Sequence, residues 1–188
     1  APIVKNKASF ILSGRRSYFD LFFPLAKNET IKDTRLYFYD LNGKVNWIIN
    51  DKNRIYLAGY NGSDVFNLAQ SFSTRWGNTT GSLRWNHLFS DKLFSNSTLV
   101  YSKYDYALGA ETDAFGFDWL ASIENYSAKI DFTYFLNPKN KIDFGWQSTY
   151  YIFRPGKATG FFEVQDTVQE FESEIQSIPA VETALYIS

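Results

Sequence analysis

The sequence lacks several residues on which many functional sites depend. It contains no cysteine, no methionine and a single histidine, His87. Without cysteine there is neither a disulfide framework nor a thiolate metal site, and one imidazole does not anchor a zinc or iron site of ordinary ligand content. Every nucleophile–histidine–carboxylate arrangement would have to use His87. The sequence therefore predicts no metal, no cofactor and no catalytic set, and an enzyme is not expected.

Long apolar runs and a large net charge are also missing. No run of about 18 or more apolar residues occurs, which excludes a transmembrane helix, and no basic segment followed by an apolar stretch opens the chain as a signal peptide would. The formal net charge of −1 gives no general attraction to nucleic acid. Because methionine is absent, we expect that Ala1 is not a translation start and that the chain is a processed or trimmed piece.

What the sequence has in abundance is aromatic residues and alternation. Phe, Tyr and Trp make up 19% of the chain. In residues 122–136, Tyr126, Ile130 and Phe132 fall on one parity, and Lys129 and Asp131 fall on the other. Such alternation predicts β-strands, because successive side chains of a strand point to opposite faces. Similar segments, some less regular, bring the expected number of strands to about eight: 7–18, 36–49, 54–66, 76–89, 93–108, 142–152 and one that begins near Val181.

Short polar turns alternate with longer connections along the chain. The turns fall at 50–53, 90–92 and 137–140, and the longer connections at 20–33, 67–75, 109–119 and 154–180. This asymmetry is typical of transmembrane β-barrels, whose short turns lie on the periplasmic side. The expected strands, roughly 12 to 16 residues long, also exceed the usual length of about 3–10 residues.

The charged residues of the most regular strands avoid the apolar parity. Asp40, Lys44, Lys129, Asp131 and Asp143 all lie opposite the apolar stripe, on which Glu124 is the one exception. Lipid enforces this distribution, since a lysine or arginine on the lipid face costs about 2–4 kcal/mol at mid-membrane. Only a closed sheet leaves no unpaired edge in hydrocarbon. The sequence therefore predicts an all-β antiparallel meander that forms part of a transmembrane barrel.

The longer connections carry aromatic residues that are candidates for ligand binding. They are Phe22, Phe23, Phe115, Phe117, Trp119, Phe161 and Phe162. Exposed aromatic rings at the outer mouth of a barrel can stack on a ligand; packing between loops and an upper aromatic girdle are the alternative interpretation. In the last connection, Val168, Phe171, Ile175 and Ile178 recur at helical spacing, which predicts a short amphipathic helix with an acidic outer face.

Three segments resemble a known family. SFILSGRRSYFDLFFP (9–24), LYFYDLNGKVNWIINDKNRIYLAGYNGSDVF (36–66) and WGNTTGSLRWNHLFSDKLFSNSTLVYSKYDY (76–106) resemble the barrel of TonB-dependent outer-membrane receptors, particularly the aromatic-rich kind of Bacteroidetes. VETALYIS (181–188) resembles the start of the strand that follows a long outer loop in the same family. The resemblance covers most of the chain in order, and the RWNHLFSDKLFSN hairpin is its most specific part.

The resemblance implies that the chain belongs to a large barrel in the bacterial outer membrane. Such receptors have roughly 22 strands and a plugged lumen, and they take up bulky scarce nutrients such as metal chelates, oligosaccharides or peptides. All of residues 1–188 would be part of one barrel domain. The N-terminal plug, the box that contacts TonB and the remaining strands are absent from this chain, so no coupling residue is assigned.

The same resemblance implies a set of lumen residues and a set of partners. The side chains expected to line the lumen and face the plug are Arg15, Asp40, Lys44, Arg84, Lys129, Asp131 and Asp143. The expected partners are outer-membrane lipid, the plug of the same full-length protein and, through the absent N-terminal part, the TonB complex. A surface lipoprotein is left open as a further partner, and nucleic acid is not expected.

Two alternatives remain open at the level of the sequence. One is a small self-contained outer-membrane barrel with a structural or adhesive role. The other is a secreted soluble β-domain that binds glycans through its loop aromatics, because a soluble sheet also alternates when it turns its apolar face to a core.

Overall fold

Long antiparallel strands make up most of the protein. The computed structural model describes residues 1–69, 71–165 and 167–188. Within these ranges the strands are β1 (Pro2–Val4), β2 (Ala8–Arg16), β3 (Arg35–Asn50), β4 (Asn53–Leu68), β5 (Phe72–Ser90), β6 (Leu93–Thr112), β7 (Phe115–Asn137), β8 (Asn140–Val164), β9 (Thr167–Ile175) and β10 (Ile178–Ile187). A 3₁₀ helix (Phe19–Leu25) and the α-helical turn α1 (Glu29–Lys32) connect β2 to β3.

The strands form one sheet in which neighbours in sequence are neighbours in space. The order is β1-β2-β3-β4-β5-β6-β7-β8-β10, and β9 pairs with β8 beside β10. β9 and β10 follow each other along one edge of β8, since Ile175 pairs with Gly156 and Ile178 pairs with Phe153. The interruption lies near Pro155, which has no N–H to donate to a neighbouring strand. The meander predicted from the sequence is confirmed.

The three short turns share one local cause. The side-chain oxygens of Asn50 and Asn137 each accept a hydrogen bond of 3.0 Å from the backbone N–H two residues later. Ser90 accepts the equivalent bond, of 3.3 Å, from Lys92. Asn and Ser side chains stabilise turns in this way, which restricts each connection to a two-residue reversal. The predicted positions of the short turns are therefore confirmed.

The longer connections differ from the prediction. Most of 67–75, 109–119 and 154–180 is strand, and β7 and β8 reach 23 and 25 residues. The amphipathic helix predicted around Val168 is wrong, because β9 occupies that segment and pairs with β8 from Thr167 to Ile175. Backbone pairing with a long neighbouring strand outweighs helical spacing of a few apolar residues. The connection 20–33 alone keeps short helical turns.

The sheet is a single layer without a core. No hydrophobic side chain is buried in the part of the chain that the structure describes, and no helix there is long and apolar enough to cross a membrane. Large apolar residues such as Leu57, Leu99 and Trp85 remain 43–56% exposed. A soluble sheet buries its apolar face against another layer, whereas the described residues of this sheet leave both faces uncovered.

Gly145 and Gly81 differ in how much room they leave for a side chain. A methyl group at Gly145 would lie 2.5 Å from the carbonyl oxygen of Ile130 and 2.7 Å from the ring of Tyr186, whereas nothing lies within 4 Å of one at Gly81. We expect Gly145→Ala to destabilise the folded protein by about 1–3 kcal/mol through overpacking. Gly81→Ala should stabilise it by about 0.5–1 kcal/mol. Denaturant titrations of the two variants in vesicles measure both; equal effects would contradict the close approach at Gly145.

Candidate functional site on the two faces of the sheet

The strand register divides the side chains into two faces. Residues directly opposite each other on antiparallel strands lie on the same face. Arg15 pairs with Asp40 and Thr133 with Asp143, while Arg84 pairs with Thr98, which in turn pairs with Lys129. The register places the predicted lumen set on one face, which we call the polar face: Arg15, Asp40, Lys44, Arg84, Lys129, Asp131 and Asp143.

The opposite face carries a wide uncharged region, here called the apolar band. Its upper limit is a row in which Tyr101, Tyr126 and Tyr150 stand side by side. From this row to the short turns, every side chain on this face of β2–β8 and β10 is uncharged, as the rows through Leu83–Leu99–Ala128 and Trp85–Ser97–Ile130 illustrate. Hydrocarbon tolerates no other composition without a cost in folding free energy.

The dimensions of the apolar band match a membrane. On β7 it runs from Tyr126 to Leu136, which corresponds to about 24 Å along the membrane normal for a strand tilted by about 45°. Aromatic residues occupy its lower border, where His87 lies between Trp85 and Phe89 at ring distances of 5.2 and 4.3 Å. Interfacial girdles have this composition, and His87 is a residue of this border.

Above the tyrosine row the apolar face becomes charged. Lys103 contacts Asp105 at 2.9 Å and Arg154 contacts Glu124 at 2.6 Å, and only Glu124 among the four side chains is largely shielded from solvent. Glu124, the charged exception on the apolar stripe, lies in the middle of β7 and above the band. The same face of the sheet is thus uncharged below the row and charged above it.

A third ion pair lies higher on the same face. Lys157 contacts Glu172 at 2.6 Å. The hydrogen bond from Lys157 to Glu172 and the attraction between the two charges raise the pKa of the lysine above its ordinary value of 10.5. Both side chains are exposed to solvent, so the ion pair contributes little to the stability of the folded protein.

The polar face changes in the opposite direction at the same height. Phe115, Phe117 and Trp119 on β7, with Phe162 on β8, lie on this face above the tyrosine row. Phe161 lies on the other face, where its ring covers Gly116. These five residues belong to strands, which corrects their prediction as loop residues. Phe22 and Phe23 lie in the 3₁₀ helix at the top of β2 and β3, as predicted for that connection.

Below the aromatic rings, hydrogen bonds and ion pairs cross the polar face between strands. Asp40 accepts a 2.6 Å hydrogen bond from the hydroxyl of Tyr60 and is paired with Arg15. Asp143 accepts a 2.7 Å bond from Thr133 and contacts Lys141 at 2.7 Å, while Asp131 accepts a bond from Tyr186. The carboxylates of Asp40, Asp131 and Asp143 thus have charged or hydrogen-bonding partners within the sheet, which strengthens these contacts relative to neutral ones.

Several residues of the upper polar face were not singled out from the sequence. Trp76, Tyr106, Phe66 and Asp64 join the predicted aromatics there, with Tyr106 and Trp119 at a ring distance of 6.0 Å. A signal for the extended strands does exist in the sequence: the period-two series Glu170, Glu172, Glu174. Read as a strand, this series places Phe171 opposite Gly160 on the polar face.

The described residues contain no group of three or more His, Asp or Glu side chains arranged to hold a metal. One face offers apolar contacts, and the other offers polar contacts below aromatic contacts.

The fold has matches among solved structures, although the sequence matches no family model or curated protein. Two solved structures match the fold, namely the ferric yersiniabactin uptake receptor FyuA from Yersinia pestis (TM-score 0.54, 12% identity, over 82% of this chain and 26% of that one) and BauA, the ferric preacinetobactin receptor from Acinetobacter baumannii (TM-score 0.55, 10% identity, over 96% and 37%). The chain thus spans well under half of each receptor. The predicted fold class, an all-β antiparallel meander similar to the barrels of outer-membrane receptors, is confirmed.

Proposed function

We propose that this chain is a segment of the barrel wall of a TonB-dependent outer-membrane transporter, of the Bacteroidetes type, that imports a bulky scarce nutrient. The observation that carries the proposal is the uncharged band on one face, backed by charged residues on the other. The fold shared with two receptors supports it. The chain would have no chemistry of its own and would contribute a rigid wall between lipid and a transport lumen.

The polar face is the side that we assign to the lumen and its plug. Enclosed amide oxygens of Asn46, Asn86, Asn96 and Asn125 accept no hydrogen bond from the described residues. Buried polar atoms are rarely left without partners in native proteins. A plug domain of the same full-length protein would supply a counter-charge to Arg84, for which the described residues provide no ion pair, and hydrogen-bond donors to these amides once their side chains turn toward it.

The remaining partners follow from this placement. Outer-membrane lipid would cover the apolar band, the TonB complex would act through the N-terminal part of the full-length protein, and the charged surface above the tyrosine row leaves room for a surface lipoprotein. The nutrient would first meet the aromatic part of the polar face, where Phe117, Trp119 and Phe162 lie on strands rather than on flexible loops.

The structure favours neither of the alternative functions. A secreted glycan-binding domain would bury its apolar face, yet the described residues include no buried hydrophobic side chain. A self-contained small barrel would pair its first and last strands, whereas β1 pairs with β2 and β10 pairs with β8 in the described sheet. Both observations agree with a wall that continues in neighbouring strands.

Import can be tested without knowing the nutrient. Cells that carry the gene for the full-length protein and cells that lack it would be grown in the same complex medium, and compounds removed from the medium would be compared by mass spectrometry. We expect at least one compound to be removed only by cells that carry the gene. A protonophore should abolish its removal, because import depends on the energised inner membrane. Identical media, or removal that persists with the protonophore, would contradict active uptake.

A further inference from the structure

The upper part of the polar face forms an aromatic wall with one charged side chain. We define the upper aromatic wall by Phe38, Phe66, Trp76, Tyr106, Phe117 and Trp119, which share this face above the row that contains Asp40. On every strand from β3 to β9, the only charged residue of this face above that row is Asp64. The other face at the same height carries at least ten charged residues, including Arg75, Glu111 and Asp118.

Asp64 lies between aromatic neighbours. In the register it stands directly opposite Phe38 on one side and Trp76 on the other, and Tyr106 follows Trp76 in the same row. Side chains directly opposite each other have Cβ atoms about 4.5–5.5 Å apart, so the carboxylate is within reach of a group that stacks on either ring. The described residues provide no salt bridge or hydrogen bond for Asp64, whereas Asp40 below it is bound to Arg15 and Tyr60.

The cation beside the row below Asp64 is already engaged. The guanidinium of Arg15 pairs with Asp40 and lies 5.4 Å from the centre of the Phe38 ring. Its position shows that this surface accepts a cation over an aromatic ring. Lys44 and Arg84, the next cations of the polar face, lie lower on their strands. An anionic ligand that reached Trp76 and Trp119 would therefore meet one carboxylate, and the described strands offer it no cation on this face at that height.

These observations specify the charge of the ligand. Aromatic faces attract cations, and rings arranged around a cation are a common means of recognising ammonium groups. A carboxylate in the same row adds attraction for a positive charge and repulsion for a negative one. We infer that the upper aromatic wall binds a ring-bearing organic cation, with its rings stacked on Trp76, Phe117 or Trp119 and its positive group at Asp64.

This inference rests on the proposed function and narrows it, because it selects a cationic ligand from among the bulky nutrients that a receptor of this fold might import. It also assigns a role to Asp64, Trp76 and Tyr106, which lie on strands and were not among the candidate binding residues identified from the sequence.

A pair of dyes with the same ring system and opposite charge provides the test. The full-length protein in lipid nanodiscs would be titrated into rhodamine 6G, a cationic xanthene, and into fluorescein, an anionic one, with empty nanodiscs as background. Fluorescence anisotropy should show rhodamine 6G bound at least tenfold more tightly. Asp64→Asn should weaken the binding of rhodamine 6G about threefold to thirtyfold, with little effect on fluorescein.

A matched variant separates the role of Asp64 from a general loss of negative charge. Glu111 is exposed and lies on the opposite face at the top of β6, so Glu111→Gln should leave the binding of both dyes unchanged. Trp76→Leu keeps an apolar residue and should weaken both dyes, since it removes the stacking surface. Equal affinity for the two dyes, no binding of either dye, or an Asp64→Asn variant that behaves like Glu111→Gln would overturn the inference.

Failure of the inference and failure of the proposed function give different results. If the medium comparison shows energy-dependent removal of a compound while the dyes do not discriminate, transport stands and the charge assignment is wrong. If the comparison shows no removal, the transport proposal itself fails.

Discussion

An arginine at position 130 should destabilise the folded protein in a bilayer by about 2–4 kcal/mol. Ile130 lies near the middle of the apolar band, between Ser97 and Trp146 in the same row. A guanidinium at this depth must leave water or draw water into the hydrocarbon, and either process costs free energy. Reversible unfolding of the full-length protein from phospholipid vesicles in guanidinium chloride measures the loss.

The control for this substitution lies on the other face. Gln147 belongs to the polar face of β8, opposite Lys129, and follows Trp146, which lies in the same row as Ile130. Gln147→Arg should change the unfolding free energy by less than about 1 kcal/mol, because a charge on the lumen side remains in a polar environment. Equal losses for Ile130→Arg and Gln147→Arg would mean that the two faces do not differ in solvent.

Shortening the β8–β9 hairpin should abolish uptake without preventing assembly. Ala158 pairs with Ser173, so replacing 158–173 by an Asn-Gly turn keeps the register of the remaining pairs. The change removes Phe162 and Phe171 from the polar face and leaves the apolar band untouched. We expect removal of the imported compound from the medium to slow at least tenfold, while the amount of folded protein in the outer membrane stays the same.

The control for the shortened hairpin uses residues on its outer side. Glu170 and Glu172 lie on the charged face of β9, so replacing both by Gln should leave uptake unchanged. If the shortened protein imports as fast as the native one, the hairpin is not part of the binding surface. If the shortened protein no longer accumulates in the outer membrane, the hairpin is required for assembly. That result would contradict the prediction that the barrel assembles without it.

Period-two patterning explains which parts of the structure could be predicted from the sequence. In 126–136 every second residue is apolar, and the strand, its faces and the positions of Lys129 and Asp131 on one face follow directly. The turns can be predicted equally well, because the side chains of Asn50, Ser90 and Asn137 stabilise chain reversals by accepting backbone hydrogen bonds. Both signals are local, and local signals survive in a single sequence.

The upper half of the sheet could not be predicted from the sequence. The face that is apolar below the tyrosine row carries charged residues above it, and the polar face carries aromatic residues there. Above the tyrosine row, charged residues such as Glu124 and Arg154 lie on the same face as the apolar band. The alternation of apolar and polar residues therefore no longer indicates a strand there. Pro155 and Gly156 also suggest a loop, yet β8 continues through them with a shift in register. The sequence therefore predicts a loop for the aromatic residues of 115–119. They are candidates for ligand binding whether they lie on a loop or on a strand.

Accessibility along β7 tests the central claim most directly, because the chain has no cysteine and single cysteines can be placed and spin-labelled at each position from 122 to 134. In the full-length protein in vesicles, collision with lipid-soluble oxygen should peak at Tyr126, Ala128, Ile130 and Phe132. Collision with a water-soluble nickel chelate should remain low at these four positions and rise at Glu124, above the tyrosine row. Nickel accessibility as high at Ile130 and Phe132 as at Glu124 would contradict a wall that stands in lipid.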